Sequence, residues 1–166
     1  MDELELFTLP RTVEIFRNDT RWNGFRVWAR FLGFAWQARY PKKPALVVDP
    51  TPAIRDALPS LFGASTNLKQ KVFFSRLSER LPVLDGGTYR RMVEEQLLHG
   101  RWHQPRQGEL SASLSLALRR LEFEGTIRFE YNDDPAAGGV TLTGRDGHQI
   151  PNTKRVSEVN YKREVA

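Results

Sequence analysis

The chain has 166 residues, of which 40% are hydrophobic and 11% aromatic, enough to form a packed core in one domain or two small ones. Its 25 lysines and arginines outnumber 20 acidic residues, and the net charge of +5 favours an acidic partner such as DNA, although a basic protein without such a partner has a similar composition. The absence of cysteine excludes disulfides, thiolate catalysis and zinc sites built on cysteine.

The sequence has no segment typical of a secreted or membrane protein. Its start, Met1-Asp2-Glu3-Leu4-Glu5, is acidic and therefore unlike the basic first region of a signal peptide. No apolar run approaches the roughly 18 residues that indicate a transmembrane helix. We therefore expect a cytoplasmic protein with no membrane partner.

The strongest helical pattern in the N-terminal half predicts a helix over Trp22–Tyr40, after a mixed segment over residues 1–21. One face would carry four large apolar side chains: Phe25, Trp28, Leu32 and Trp36. Because the flanks are apolar as well, such a helix is either a central core helix or a helix docked on a partner.

A short strand and a short helix are predicted next. Ala45–Val48 is an apolar run of strand length. Thr51 as the N-cap and Pro52 in the first helical position agree with capping preferences. The helix is expected to cover residues 53–58 and to end at Pro59.

Two further helices are predicted over residues 68–81 and 88–99, on either side of the break at Asp85-Gly86-Gly87. The second should turn four apolar side chains inward: Tyr89, Met92, Val93 and Leu97.

The stretch from Gly108 to Gly144 predicts a helix, a strand, a tight loop and a second strand. Ser111 suits the N-cap of the helix, and Gly125 suits the C′ position that follows it. Side chains spaced i, i+3, i+4 and i+7 give the helix an apolar inner face: Leu114, Ala117, Leu118 and Leu121. Residues 126–131 and 140–143 then predict a β-hairpin. A helix followed by a β-hairpin is typical of the end of a winged helix-turn-helix domain.

Eight residues of this stretch follow the pattern of a known family: Leu118, Leu121, Glu122, Gly125, Ile127, Asp134, Leu142 and Thr143. The pattern resembles the recognition helix and wing of MarR-like winged-helix proteins, which implies a DNA-binding fold. Two other segments, residues 28–33 and 49–55, are similar to winged-helix proteins carried in bacterial DNA-modification and anti-phage gene clusters. That resemblance implies a component of a larger bacterial assembly.

We therefore predict a mainly α fold with small β-hairpins, in which residues 83–147 form a winged helix-turn-helix domain. Residues 1–82 are expected to form an N-terminal helical or degenerate winged-helix unit, so two winged helices in tandem are an alternative. Residues 148–166 are expected to be a basic tail with little regular structure, apart from an edge strand over residues 156–161.

The outward face of the predicted recognition helix carries both polar and apolar side chains. Ser113, Arg119 and Arg120 suit contacts to phosphate and guanine. Leu116 and Phe123 are instead typical of a protein interface, or of a face covered by another part of the chain. Further basic residues predict additional DNA contacts: Arg26, Arg30, Arg101, Arg106, Lys154 and Arg155.

The predicted wing does not add to this DNA-binding set. MarR-like proteins carry arginine at the wing tip, whereas residues 132–139 contain Asp133 and Asp134 and no basic residue. Because carboxylates repel phosphates, an ordinary turn is the better interpretation of these two acids.

No catalytic motif is recognisable, neither a glycine-rich phosphate loop with a lysine nor a Gly-x-Ser-x-Gly turn. His99 and His103 have helical metal-ligand spacing, but Gly100 interrupts the helix and no third ligand is suitably spaced, so surface histidines are expected. We therefore predict a non-enzymatic protein without cofactor, metal or small-molecule substrate.

The first predicted function is duplex-DNA binding, within a bacterial nucleic-acid-handling or defence assembly or as a small regulator. The alternative is a winged-helix adaptor that contacts partner subunits or a second copy of itself without binding DNA.

Overall fold

The computed structural model describes residues 18–38, 45–97, 105–132, 138–144 and 154–163. In these ranges the chain forms five helices and five strands, a mixed α/β arrangement with more strand than the predicted mainly α fold. The helices are α1 (Asp19–Phe31), α2 (Thr51–Phe62), α3 (Gln70–Arg80), α4 (Thr88–Glu94) and α5 (Ala112–Phe123). The strands are β1 (Ala35–Ala38), β2 (Ala45–Val48), β3 (Asn67–Lys69), β4 (Ile127–Asn132) and β5 (Arg155–Tyr161). No helix within these ranges is long and apolar enough to cross a membrane.

The helix predicted over residues 22–40 is wrong in its second half, where α1 gives way to β1. The backbone of Gly33 has a φ of 74°, a conformation that favours glycine, and it turns the chain out of the helix. β1 then pairs antiparallel with β2, with Ala35 opposite Val48. The strand predicted over residues 45–48 is confirmed as β2.

α1 is also not the central core helix that the sequence allowed. Among its residues, Ala29 alone is buried. The side chains predicted to form the inner face of the longer helix are between 43% and 61% exposed: Phe25, Trp28, Leu32 and Trp36. The alternative of a helix docked on a partner therefore stays a prediction.

α2 differs from its prediction at both ends. Pro50 and not Thr51 is the N-cap residue, and the Thr51 N–H donates to Asp49 Oδ1 at 3.0 Å. The helix continues through Pro59 as far as Phe62. Beyond the proline, Leu61 and Phe62 are buried, so the last turn extends the packed face of the helix.

α3 and α4 are shorter than predicted. Residues 67–69 form β3, so the first residues of the predicted helix over residues 68–81 are extended. α4 ends at Glu94, short of the predicted end at residue 99, which lies outside the described residues. No residue of α4 is buried, and three of its predicted inward side chains are exposed: Tyr89, Met92 and Val93.

The main sheet has the strand order β3-β5-β4, and both pairings are antiparallel. The predicted hairpin between residues 126–131 and 140–143 is wrong, because β4 pairs with β5 from the predicted tail. Val140 forms only an isolated bridge, to Val156. β5 is therefore the central strand of this sheet and not an edge strand, and its Val156 and Val159 are fully buried.

One hydrophobic cluster joins α2, α3, α5 and the main sheet. Its largest fully buried side chains are Ile54, Leu58, Phe62, Phe73, Leu77, Leu114, Leu118, Leu121, Ile127, Leu142, Val156 and Val159. They come from all three predicted units, residues 1–82, 83–147 and 148–166. The division of the chain into these three units stays a prediction, because side chains from all three share one hydrophobic cluster whether or not each unit folds alone. The order of the elements is compatible with a winged-helix-like fold.

Candidate nucleic-acid interface

α5 contains the predicted recognition residues, and polar contacts fix its first turn. Ser111 is the N-cap, as predicted, and its Oγ accepts the Leu114 N–H at 3.4 Å. The Ser111 N–H and hydroxyl donate to the Asp85 carboxylate at 2.5 and 2.7 Å, and Arg90 lies 3.6 Å from that carboxylate. These contacts hold the start of α5 against the turn that precedes α4.

The inner face of α5 agrees with the helical spacing, since four side chains are at most 1% exposed: Leu114, Ala117, Leu118 and Leu121. Sequence spacing does not distinguish Ser115, which is also fully buried. Its Oγ accepts the Thr143 N–H at 3.0 Å, and the Thr143 hydroxyl donates to the Leu110 carbonyl at 2.9 Å. These bonds hold Thr143 against α5 and against Leu110, the residue before its cap.

Two large apolar side chains are exposed on the outward face of α5. Leu116 is 59% exposed and Phe123 is 93% exposed, so both lie where the helical spacing places them. Ser113 is half-buried, and its Oγ lies 3.3 Å from Ser111 Oγ. Whether these side chains contact a protein or DNA stays a prediction.

Arg120 belongs to a charge network of four residues: Asp49, Arg55, Arg120 and Glu124. Arg120 donates to Asp49 Oδ2 at 2.8 Å and to Glu124 Oε1 at 3.2 Å. Arg55 also donates to Glu124. The hydrogen bond from Arg55, together with Arg120, holds the pKa of Glu124 below its ordinary value. The two arginines and two carboxylates of this network therefore carry no net charge together.

Arg119 is half-buried, and its Nε is buried without a hydrogen-bond partner among the described residues. The Tyr131 hydroxyl nearby donates to Glu122 Oε2 at 3.3 Å. Burial and the Glu122 carboxylate raise the pKa of Tyr131 to about 12, and the charge of Arg119 acts in the opposite direction. Because one of its nitrogens is buried, Arg119 reaches outward with only part of its guanidinium.

The other predicted DNA contacts lie on separate elements. Arg106 is exposed in the loop before α5, where its backbone N–H donates to Glu109 Oε2 at 3.2 Å. Arg30 of α1 is exposed and donates to the Gln37 side chain at 2.5 Å, whereas Arg26 is half-buried. The remaining three are Lys154 and Arg155, both exposed at the start of β5, and Arg101, which lies outside the described residues.

A cleft of about 720 Å³ opens beside the C-terminal end of α5. Its charged lining consists of Arg55, Asp56, Glu124, Lys162 and Arg163. Arg163 donates to the backbone carbonyls of Gly63 and Ser65, so its guanidinium is held in place. Sequence spacing could not bring these residues together, because α2 and the chain after β5 are far apart in the sequence.

Residues 5–135 match the model of a protein family described as DpdG-like. The chain belongs to the DpdG-like family. This family is associated with DNA modification and anti-phage defence. The association fits the resemblance of residues 28–33 and 49–55 to proteins of such gene clusters. The resemblance to MarR-like proteins stays a prediction. No curated protein and no solved structure matches the chain.

The DpdG-like match begins before α1 and ends just after β4. It therefore includes the whole charge network and all of α5. β5, the central strand of the main sheet, lies beyond the matched residues.

Proposed function

We propose that the chain is a non-catalytic, winged-helix DNA-binding component of a bacterial DNA-modification or defence assembly. Its membership of the DpdG-like family supports the setting, and its excess of basic residues supports a polyanionic partner. The observation that carries the proposal is the placement of α5, which fills the core with one face, exposes the other and leads directly into the main sheet.

In this interpretation α2, α3 and α5 are the three helices of the winged helix, and α4 is an insertion before the recognition helix α5. β3, β5 and β4 form its three-stranded sheet. A recognition helix of this kind presents its outward side chains to the major groove.

The cations are unequally available for contact with phosphate. The carboxylates of the charge network neutralise Arg120, although an exposed ion pair of this kind typically contributes only about 0.2–1 kcal/mol and phosphate competes with it. We therefore expect the better-placed contacts from Arg106 in the loop before α5, Ser113 in its first turn and Arg119 in its C-terminal half. The remaining predicted cations stay expected phosphate contacts: Arg26 and Arg30 on α1, Lys154 and Arg155 at the start of β5, and Arg101 outside the described residues. We expect mainly backbone binding that weakens with salt.

A fluorescence-anisotropy titration with random duplex DNA at low and high salt tests the proposal. We expect micromolar dissociation constants at low salt and a steep loss of affinity as salt rises. No binding at low salt would contradict DNA binding by this chain.

The apolar side chains on α5 favour a second candidate function, an adaptor that contacts partner subunits or a second copy of itself. Leu116 and Phe123 are exposed, and the neighbouring Arg120 already has two carboxylate partners. The double variant Leu116→Ser with Phe123→Ser should then reduce self-association or partner binding, measured by size-exclusion chromatography with light scattering. If the chain is an adaptor that does not bind DNA, the double variant should show that reduction and the unmodified chain should show no DNA binding in the anisotropy titration.

A further inference from the structure

The main sheet ends at the outer edge of β4, formed by the backbone groups of β4 that face away from β5. The strand order β3-β5-β4 leaves this edge without a strand partner in the described part of the chain. An edge strand presents a row of N–H and C=O groups that can pair with a strand of another chain. The outer edge of β4 is therefore a place where a second molecule can extend the sheet, unless something covers it.

Hydrogen bonds identify which residues direct their backbone groups to this edge. The Lys162 N–H, just after β5, donates to the Thr126 carbonyl at 3.0 Å, so the residue before β4 faces the β5 side. Backbone groups alternate between the two sides along an antiparallel strand. Residues 127, 129 and 131 therefore face the outer edge.

The other end of β4 agrees with this alternation. Tyr131 lies opposite Val156 in the register of β4 and β5. Val156 uses both of its backbone groups on Val140, to which its N–H donates at 2.9 Å and from which its carbonyl accepts at 3.3 Å. The backbone groups of Tyr131 therefore face outward, as those of Phe129 do.

Glu122, in the last turn of α5, covers this edge with its carboxylate. The Phe129 N–H donates to Glu122 Oε1 at 3.3 Å, and the Tyr131 hydroxyl donates to Oε2 at 3.3 Å. Because the pKa of Tyr131 is raised to about 12, its hydroxyl stays protonated at neutral pH and remains a donor. An added strand needs the Phe129 N–H for its own hydrogen bond and must first displace the carboxylate, which has no proton to offer in return.

We propose that Glu122 blocks strand addition at the outer edge of β4, and that without this block a second copy of the chain pairs there. The block acts on association between proteins and involves neither the DNA contacts of the proposed function nor the exposed apolar side chains of α5. It therefore stands whether or not the chain binds DNA.

A second copy is the partner that the edge itself fits. Two antiparallel β4 strands related by a twofold axis at Phe129 place the N–H and carbonyl of one Phe129 opposite those of the other. The same register places Arg128 of each strand opposite Glu130 of the other, and opposite charges in directly facing positions stabilise a strand pair. Both side chains are available for this contact, since Arg128 is 81% and Glu130 53% exposed.

Replacing Glu122 tests the block, with a matched pair of variants. Glu122→Ala removes the acceptor, whereas Glu122→Gln loses the same charge but keeps an oxygen that accepts the Phe129 N–H. In sedimentation velocity over a concentration series, Glu122→Ala should raise the weight-average mass towards about twice that of the unmodified chain, because a twofold pair is closed. Glu122→Gln should match the unmodified chain. No increase for Glu122→Ala, or an equal increase for both variants, would overturn the proposal.

A proline locates the contact. Tyr131→Pro removes an N–H that faces outward, so it should preserve the pairing of β4 with β5 and prevent strand addition. Combined with Glu122→Ala, it should return the mass to that of the unmodified chain, and far-UV circular dichroism checks the fold. Leu116→Ser with Phe123→Ser in the Glu122→Ala chain should leave the association unchanged. If these serine substitutions abolish it, the association belongs to the apolar side chains of α5 and the proposal is wrong.

Amide hydrogen exchange of Phe129, followed by NMR, measures the block in a single molecule. In dilute Glu122→Ala this amide should exchange about 2- to 10-fold faster than in the unmodified chain, the factor expected for one lost hydrogen bond. Glu122→Gln should keep the exchange slow, and at high concentration the Glu122→Ala amide should slow again as the edges pair. Unchanged exchange in dilute Glu122→Ala would show that Glu122 does not hold this N–H and would overturn the proposal.

Discussion

Val159 tests whether β5 is the central strand of the main sheet. Sequence patterns assign residues 148–166 to a basic tail, but Val159 is fully buried, opposite Leu68 of β3 and Phe129 of β4. If the register is correct, Val159→Ala removes two carbon atoms from the centre of the hydrophobic cluster. If β5 is a loose tail, the substitution removes nothing that is packed.

The expected loss follows from the burial. Removing two buried carbon groups costs about 0.8 kcal/mol each in transfer free energy, and the remaining cavity adds to this, so we expect a loss of about 1.5–3 kcal/mol in the free energy of unfolding. The matched control is Val48→Ala on β2, where the same atoms are removed from a side chain that is 65% exposed. The control should stay within about 0.5 kcal/mol of the unmodified chain.

Urea denaturation followed by far-UV circular dichroism measures both variants. With a slope of about 1–3 kcal/mol/M, the midpoint for Val159→Ala should fall by about 1 M, with the slope unchanged. A midpoint within error of that of Val48→Ala would refute the strand order β3-β5-β4.

Two more predictions concern the turn at Gly33, which follows α1, and the charge network. Gly33→Ala should lower the free energy of unfolding by about 1–3 kcal/mol, because φ is 74° and an added Cβ would lie 2.9 Å from the Ala53 nitrogen. Gly63→Ala, where φ is 56° and the added Cβ meets nothing within 4 Å, should cost less in the same urea titration, and an equal or larger cost would contradict the close approach. The pKa of Glu124 is lowered in the folded state. Glu124 therefore stabilises the fold at pH values above its unfolded pKa of 4.5, and this contribution is lost as the pH falls through the folded pKa. Glu124→Gln should therefore destabilise the chain by about 0.5–1 kcal/mol at neutral pH and by progressively less as the pH falls below 4.5, and a pH-independent difference would contradict the ion pairs.

Local signals in the sequence predicted α5 well. The Ser111 cap and the helical spacing of its apolar side chains depend only on neighbours within one or two turns. The end of α1 was not predictable in this way, because Gly33 adopts its conformation where α2 approaches it from outside the helix. The pairing of β5 with β4 is also non-local, and the buried Val156 and Val159 do not alternate because the pairing contains a bulge.

In the candidate site, too, the sequence predicted local features but not contacts between distant residues. Helical spacing placed Leu116 and Phe123 on the outward face, where they are exposed. The partners of the arginine side chains came from elsewhere: Asp49 lies 71 residues from Arg120 in the sequence, and Arg55 lies 69 residues from Glu124. Periodicity identifies which residues share a face but not which distant charges neutralise them.

Charge reversal on two faces of the fold tests the central claim, that this chain binds duplex DNA beside α5. Arg106→Glu should weaken duplex binding by at least about tenfold at roughly 50 mM salt and reduce the salt slope by about 1, because it replaces a phosphate contact with a repulsion. Arg128→Glu makes the same change of charge on the exposed face of β4 and should leave the affinity within about twofold. Equal losses in the two variants, or no duplex binding by the unmodified chain at that salt, would contradict the account.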